Sequence, residues 1–176
     1  AMAARVAAAD TPVLIQGDTG TGKELIARHI HENSGRRQKP FVPINCGAIP
    51  ENLIESELFG HKKGAFTGAV EEHEGIFARC SPHGSIFLDE IGDISIPIQI
   101  KLLQVIQERT FTPVGSHNIA RFSGRVIAAT NKDINGLRRE NRFRDDFYYR
   151  LCSDIITVPT LFERIRENEK ELETLV

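Results

Sequence analysis

Two short stretches carry residues whose types and spacing suit phosphate chemistry. Gly17, Asp18, Thr19, Gly20, Thr21, Gly22 and Lys23 fit the pattern G-x4-G-K. Glycines let a backbone bend so that successive N–H groups face one centre, a nest for phosphate oxygens. A helix starting at the loop's end adds a partly positive terminus, and Lys23 adds a point charge for the outer phosphates. Position 24 is Glu24, where the general motif has a hydroxyl for Mg²⁺, so a metal ion must lean on another residue. The second stretch is the apolar run Ser85-Ile86-Phe87-Leu88 ending in Asp89 and Glu90. Asp89 suits Mg²⁺, held through water, and Glu90 suits orienting or deprotonating an attacking water. Asn131, after the run 125–129, would bring an amide to the outermost phosphate. An Asn in that place is equally at home as a turn former. The chemistry implied is hydrolysis of a nucleotide's terminal phosphate.

Those groups need elements behind them. Val13–Gln16 reads as a buried strand leading into the loop, and 23–33 as the helix leaving it, with Leu25, Ile26 and Ile30 on one face and Gly35 near its end. Residues 41–44 make a second strand, 85–88 a third, and 125–129 and 154–158 two more. Helices are predicted over 50–58 (Leu53, Ile54, Leu58) and 98–108 (Ile98, Leu102, Val105, Ile106). Residues 60–69 are glycine-rich and form no regular element. Residues 112–123 read as a hairpin turning at Gly115-Ser116. The opening AMAARVAAAD reads as a short helix and 161–176 as a charged helical tail. Alternating strands and helices predict an α/β fold with a mostly parallel five-stranded sheet. In such a sheet the carboxyl ends of the strands share an edge with the phosphate loop, which delivers Asp89 and Glu90 to it.

Bulk properties narrow the class. The chain has 176 residues, enough for one domain with its own core, and is 40% hydrophobic and 26% charged. No run approaches the ~20 apolar residues of a membrane span, and the start lacks signal-peptide character. The net charge of −2 argues against a chain-wide grip on DNA phosphates. Cys46, Cys80 and Cys152 form no CxxC pair, so neither a disulfide framework nor a zinc site is indicated, and a reducing cytoplasm fits. The six histidines include no HExxH and are read as ordinary residues.

The hexapeptide Gly64-Ala65-Phe66-Thr67-Gly68-Ala69, preceded by Glu57-Leu58-Phe59-Gly60-His61, resembles the surface-loop signature of the sigma-54-dependent transcriptional activators, or bacterial enhancer-binding proteins, which are AAA+ ATPases. The resemblance runs from about Ala8 to Arg166. It includes the segments 17–24, 41–46 (Phe-Val-Pro-Ile-Asn-Cys), 87–92 (Phe-Leu-Asp-Glu-Ile-Gly) and 143–151 (Phe-Arg-Asp-Asp-Phe-Tyr-Tyr-Arg-Leu). It makes Glu24 unexceptional, since this family's phosphate loop ordinarily ends in Lys-Glu.

What the resemblance implies is specific. The fold is a P-loop NTPase (AAA+) three-layer α/β sandwich occupying 1–160, with 161–176 starting the connection to a helical lid. Neither that lid, with a further ATP-sensing arginine, nor an adenine-side segment ahead of Ala1 is in this sequence. The ligands are ATP and Mg²⁺, bound by residues 17–24 and Asn131, with Asp89 at the metal and Glu90, Lys23, Arg144 and Arg150 catalytic. Asn45 corresponds to the switch residue that holds the catalytic glutamate when the loops are retracted; otherwise it is a strand-end turn former. Arg144 and Arg150 correspond to arginines that reach the neighbouring subunit's ATP. Six residues apart on a helix, they would stand about 600° round and on different faces. Residues 64–69 would touch the sigma factor, with Phe66 as an aromatic anchor, and 112–123 would be a second substrate-facing loop. The implied protein is a homo-oligomeric ring, hexameric when full length, that remodels sigma-54 RNA polymerase holoenzyme within a two-component kind of transcription regulation. DNA is reached only through a domain not in this sequence, and no membrane is involved. Arg138, Arg139 and Arg142 form a small basic cluster read as interface. Ile165 and 167–173 depart from the family pattern. The competing readings are another AAA+ motor, such as a helicase or chelatase, which has no reason to carry 64–69, and a scaffold that binds nucleotide without hydrolysing it.

Overall fold

The computed structural model describes residues 2–80, 82–160 and 163. Helix α1 is Met2–Ala8, strand β1 Val13–Gln16, helix α2 Lys23–Glu32, strand β2 Phe41–Asn45, helix α3 Glu51–Phe59 and helix α4 Ile76–Arg79. Then follow strand β3, Ser85–Asp89; helix α5, Ile96–Glu108; short strands β4, Thr110–Phe111, and β5, Ala120–Arg121; and strand β6, Arg125–Thr130. Helices α6, Ile134–Arg139, and α7, Asp145–Leu151, precede the last strand β7, Asp154–Thr157. Most of the predicted 161–176 tail lies outside the described residues.

Strands β2, β3, β6, β1 and β7 form, in that order, one five-stranded sheet in which every pairing is parallel. The sheet is the expected P-loop arrangement: β6 separates β3 from β1, so the strand ending in Asp89 is not adjacent to the one feeding the phosphate loop. Period-two alternation sorts its side chains into two layers. Leu14, Ile86, Leu88, Val126 and Ala128 face a core completed by α3, α5 and α7. Val13, Ile15, Phe87, Ile127 and Ala129 face a core completed by Val6 and Ala7 of α1 and Ala27 and Ile30 of α2. Both faces being covered, β1, β3 and β6 read as unbroken apolar runs. Pro43, which has no N–H to donate, sits on the edge strand β2, where a missing donor is tolerated.

Three expectations shift. Leu25 is 72% exposed and Leu53 43% exposed, not core. In α2 the buried face is Lys23, Ala27, Ile30 and His31, because Lys23 must point into the loop it ends, which turns Leu25 outward. In α3 the packing residues are Ile54, Leu58 and Phe59. The hairpin's paired residues are Thr110↔Arg121 and Phe111↔Ala120, so it closes further from its tip than 112–123 implied. Its turn stands where expected, with Gly115 at φ 74° and Ser116 N donating to Pro113 O at 3.1 Å.

Candidate active site

The phosphate loop is built from its ends inward. Gly17 N donates to Thr130 O at 3.2 Å, and a methyl group at Gly17 would stand 3.0 Å from both Cβ and O of Val158. The loop's entry is thus wedged between the carboxyl ends of β6 and β7. Gly20 and Gly22 both have φ of 81°, the left-handed region that side chains disfavour, and Gly22 caps α2 there. Lys23 is 8% exposed, and a buried ammonium needs partners. Its Nζ donates to Gly17 O (2.9 Å) and Asp18 O (2.7 Å), drawing the loop round the amine. Thr21 Oγ1 donates to Asp18 O at 2.7 Å.

The acidic strand end meets this loop as predicted from topology. Thr19, Gly20, Gly22, Lys23, Glu24, Asp89, Glu90 and Asn131 line one cleft of about 200 Å³. Asn131 Nδ2 donates to Thr19 Oγ1 at 2.9 Å, so the amide at the end of β6 is latched to the loop. Ligand pockets run from about 300 Å³ upward, so this cleft has room for phosphates but not for a base. A second cleft of about 440 Å³, lined among others by Gln16, Gly17, Asp18, Val158 and Thr160, opens behind the loop.

Glu90 adopts φ 54°, ψ 44°, a left-handed conformation that costs a non-glycine residue about 1–2 kcal/mol. Such strain collects at functional sites because surrounding structure holds it there. Asp89 Oδ1 accepts from Glu90 N at 2.9 Å, and Asp93 N donates to Glu90 O at 3.0 Å, fixing the bend from both sides. The carboxylate then lies against the backbone of Gly47, so close that a β-carbon there would displace Glu90 Oε2. Sequence reading missed Gly47. Nothing in the residue's own neighbourhood signals a contact with a carboxylate on another loop.

Asn45 sits opposite Asp89 in the β2–β3 register. Its Oδ1 accepts from Gly47 N (2.9 Å) and Ala48 N (3.2 Å), capping a single 3₁₀ turn, Cys46–Ala48. The turn-forming role is therefore what this conformation displays, and through Gly47 it fixes the backbone on which the Glu90 carboxylate rests. Asn45→Ala should cost about 1 kcal/mol of stability through loss of the cap, read as a lower urea midpoint with unchanged slope. An unchanged midpoint would mean that water replaces the cap.

Arg144 and Arg150 are not two faces of one helix. Arg144 precedes α7 as its N-cap with extended backbone, φ −70°, ψ 139°, because Phe143 must turn into the core beside Phe147, their ring centroids 5.2 Å apart. Buried Gln99 holds this bend: its Oε1 accepts from Arg144 N at 2.9 Å and its Nε2 donates to Arg142 O at 2.9 Å. The Arg144 guanidinium grips Asp146 in a two-pronged pair, 2.9 and 2.8 Å. That hydrogen bond raises the arginine's pKa and lowers the aspartate's. Arg150 is exposed in the last turn of α7 and has no ion-pair partner among the described residues. The basic cluster is neutralised locally: Arg138 pairs with Asp145 (2.7 Å), Arg139 with Asp133 (3.5 Å) and Arg142 with Glu140 (3.2 Å). Little free charge remains there for DNA.

Residues 60–69 are irregular but braced. His61 and His73 exchange backbone hydrogen bonds, Lys62 N donates to Val114 O (3.0 Å), and Val114 N donates to Gly60 O (2.9 Å). Phe66, 40% exposed, rests edge-on against His61 at 4.8 Å. Gly115 of the hairpin comes so close to Ala65 that a methyl there would stand 2.6 Å from the alanine Cβ.

The model of the sigma-54 interaction domain matches residues 1–157. This chain belongs to that family. Among curated relatives, the transcriptional regulatory protein GlrR of Escherichia coli K12 is 50% identical over 162 residues, covering 92% of this chain and 36% of its own length. The chain thus spans about a third of that relative. The crystal structure of NtrX from Brucella abortus in complex with ADP superposes with TM-score 0.87 at 32% identity, covering 98% of this chain and 37% of that one. NtrX in complex with ATP gives TM-score 0.86 at 33% identity, covering 97% and 36%. The family and the α/β P-loop fold inferred from residues 17–24, 64–69 and 87–92 are those found. Among the described residues no helix is long and apolar enough to cross a membrane.

Proposed function

We propose that this chain is the ATP-hydrolysing core of an activator that remodels sigma-54 RNA polymerase holoenzyme for promoter opening. The observation that carries the reading is the convergence of Lys23, Asp89, Glu90 and Asn131 on one cleft over a glycine-bent loop. Residues 17–24 would hold the phosphates of ATP, as NtrX of the same fold is seen with ATP. The wider cleft by Gly17, Val158 and Thr160 would take ribose and base, completed by lid and adenine-side segments. Mg²⁺ is commonly held by one or two carboxylates with phosphate oxygens and water; Asp89 would be the carboxylate. Residues 1–160 would form the domain and 161–176 the start of the connection to the lid. Exposed Arg144 and Arg150 would serve a neighbouring subunit's ATP in a hexameric ring, and DNA would be met only through another domain.

Release of phosphate from Mg·ATP by the assembled protein tests the reading, and nucleotide binding without release would favour the scaffold alternative. The loop 64–69 supplies the partner test. Phe66 is the large apolar side chain at its tip, and buried aromatic anchors dominate interfaces. Phe66→Ala should weaken nucleotide-dependent binding to sigma-54 by about 30-fold or more. Unchanged binding in a co-sedimentation assay would move the contact elsewhere.

A further inference from the structure

At the amino ends of the strands, on the sheet edge opposite the phosphate loop, a cavity of about 440 Å³ is lined by Asp10, Arg36, His83, Glu108, Arg109 and Arg121, with Phe122 at its wall. Its basic groups divide into those that hold the fold and those that do not. Arg125, 1% exposed, stands behind the cavity and donates to Thr11 O (3.1 Å), Ala7 O (3.4 Å) and Val6 O (2.7 Å). It thereby closes the carbonyls at the end of α1, which need donors. Arg36 is likewise committed: two prongs to Asp10, 2.7 and 2.5 Å, and Nη1 to Ser123 O at 3.0 Å.

Arg109 and Arg121 are different. Arg109 ends α5 in a left-handed conformation, φ 59°, which turns its side chain into the cavity and over the Phe122 ring at 5.3 Å. Its Nη2 donates to Gly124 O at 2.6 Å, which leaves Nε and Nη1 with no hydrogen-bond partner among the described residues. Arg121, on β5, has no side-chain hydrogen bond or ion pair among the described residues. Guanidinium carries five N–H donors in a fixed fork, so most of this pair's donors are unused. Three guanidinium groups of the lining, Arg36, Arg109 and Arg121, face two carboxylates, Asp10 and Glu108, and Asp10 is already occupied by Arg36. Glu108 accepts from Gln104 Nε2 at 3.2 Å. Burial depresses the pKa of Arg109 and of Arg125, and the neighbouring Arg36 charge adds to the effect at both. In a chain whose net charge is −2, this excess is local.

We infer that the cavity walled by Arg109 and Arg121 is an oxyanion site for a phosphate group, free or as a monoester. Planar arginine forks recognise phosphate oxygens through paired N–H donors, and such an anion would offset the surplus positive charge, whereas chloride offers no such two-point fit. The anion would bridge the root of the β4–β5 hairpin to the Arg36–Asp10 pair, far from the nucleotide edge.

The test is a titration of the intact chain with sodium phosphate, with O-phosphoserine, and with sodium chloride at matched ionic strength. It follows the side-chain Nε–H resonances of Arg109 and Arg121, while phosphate taken up by the nucleotide loop reports separately at the Gly20 and Lys23 amides. Saturable shifts at Arg109 and Arg121 with phosphate but not chloride are expected. O-phosphoserine binding at least as tightly would assign the site to phosphate monoesters, and saturation by inorganic phosphate alone would assign it to the free ion. Arg121→Gln, an exposed position with no structural partner, should weaken the phosphate response about tenfold or more, with Arg121→Lys intermediate. Equal shifts with chloride, a response that never saturates, or a saturating response indifferent to both Arg121→Gln and Arg109→Gln would overturn the proposal.

Discussion

Glu90→Gln is expected to leave ATP affinity within a few fold of the parent and to lower turnover by about two decades or more. The separation follows from geometry. On the proposed reading, affinity for phosphates would reside in the loop amides and in Lys23, whose Nζ is already drawn to Gly17 O and Asp18 O. Glu90 makes none of those contacts. On the proposed reading, only the step in which water is oriented and loses a proton would need its charge, so the loss should fall on the transition state and not on the ground state. Gln keeps the shape that fits against Gly47 and the left-handed backbone at φ 54°, so a fall in turnover cannot be assigned to collapse of the bend. Nucleotide affinity by fluorescence and phosphate release in the assembled protein measure the two quantities. Turnover retained within threefold would remove Glu90 from the chemistry.

The parts of this site legible in the sequence are those where chemistry and backbone make the same demand. Glycines at 17, 20 and 22 suit both the turn that the backbone makes and the phosphate that the motif would hold, and the apolar runs of β1, β3 and β6 are long enough to show that they are buried on both faces. Asp89 and Glu90 follow from strand polarity alone. What escaped was set by contacts between segments distant in sequence. Leu25 sits at a core-like spacing, but burial of Lys23 fixes the rotation of α2 and turns Leu25 to solvent. Helices α4 and α6 span four and six residues, too few turns to print a helical period. Gly47 packs against a carboxylate from another strand's loop. Arg144 falls outside α7 because Gln99, on α5, takes its amide. No local pattern encodes any of these.

The second large effect concerns that same arginine. Arg144→Ala should lower the assembled protein's turnover by about a thousandfold, the scale of an arginine supplied to a transferring phosphoryl group. Its guanidinium lies exposed beside Asp146 and does not line its own subunit's phosphate cleft, which is walled by Thr19, Lys23, Asp89, Glu90 and Asn131 among others. On the proposed reading the charge would be given to a neighbour, and the exposed pair with Asp146 is a weak hold. The partner's phosphate would take Asp146's place. Mixing discriminates a donated arginine from a local one. Subunits carrying Arg144→Ala keep an intact phosphate loop, and subunits carrying Lys23→Ala keep an intact arginine, so a mixed ring contains some interfaces with both. Turnover should rise above that of either variant alone as the two are combined. Arg144→Lys tests geometry separately, since an ammonium keeps the charge but lacks the planar fork; it should recover only part of the loss. Mixed rings of verified size that stay as inactive as their parents would place Arg144 in its own subunit's structure instead.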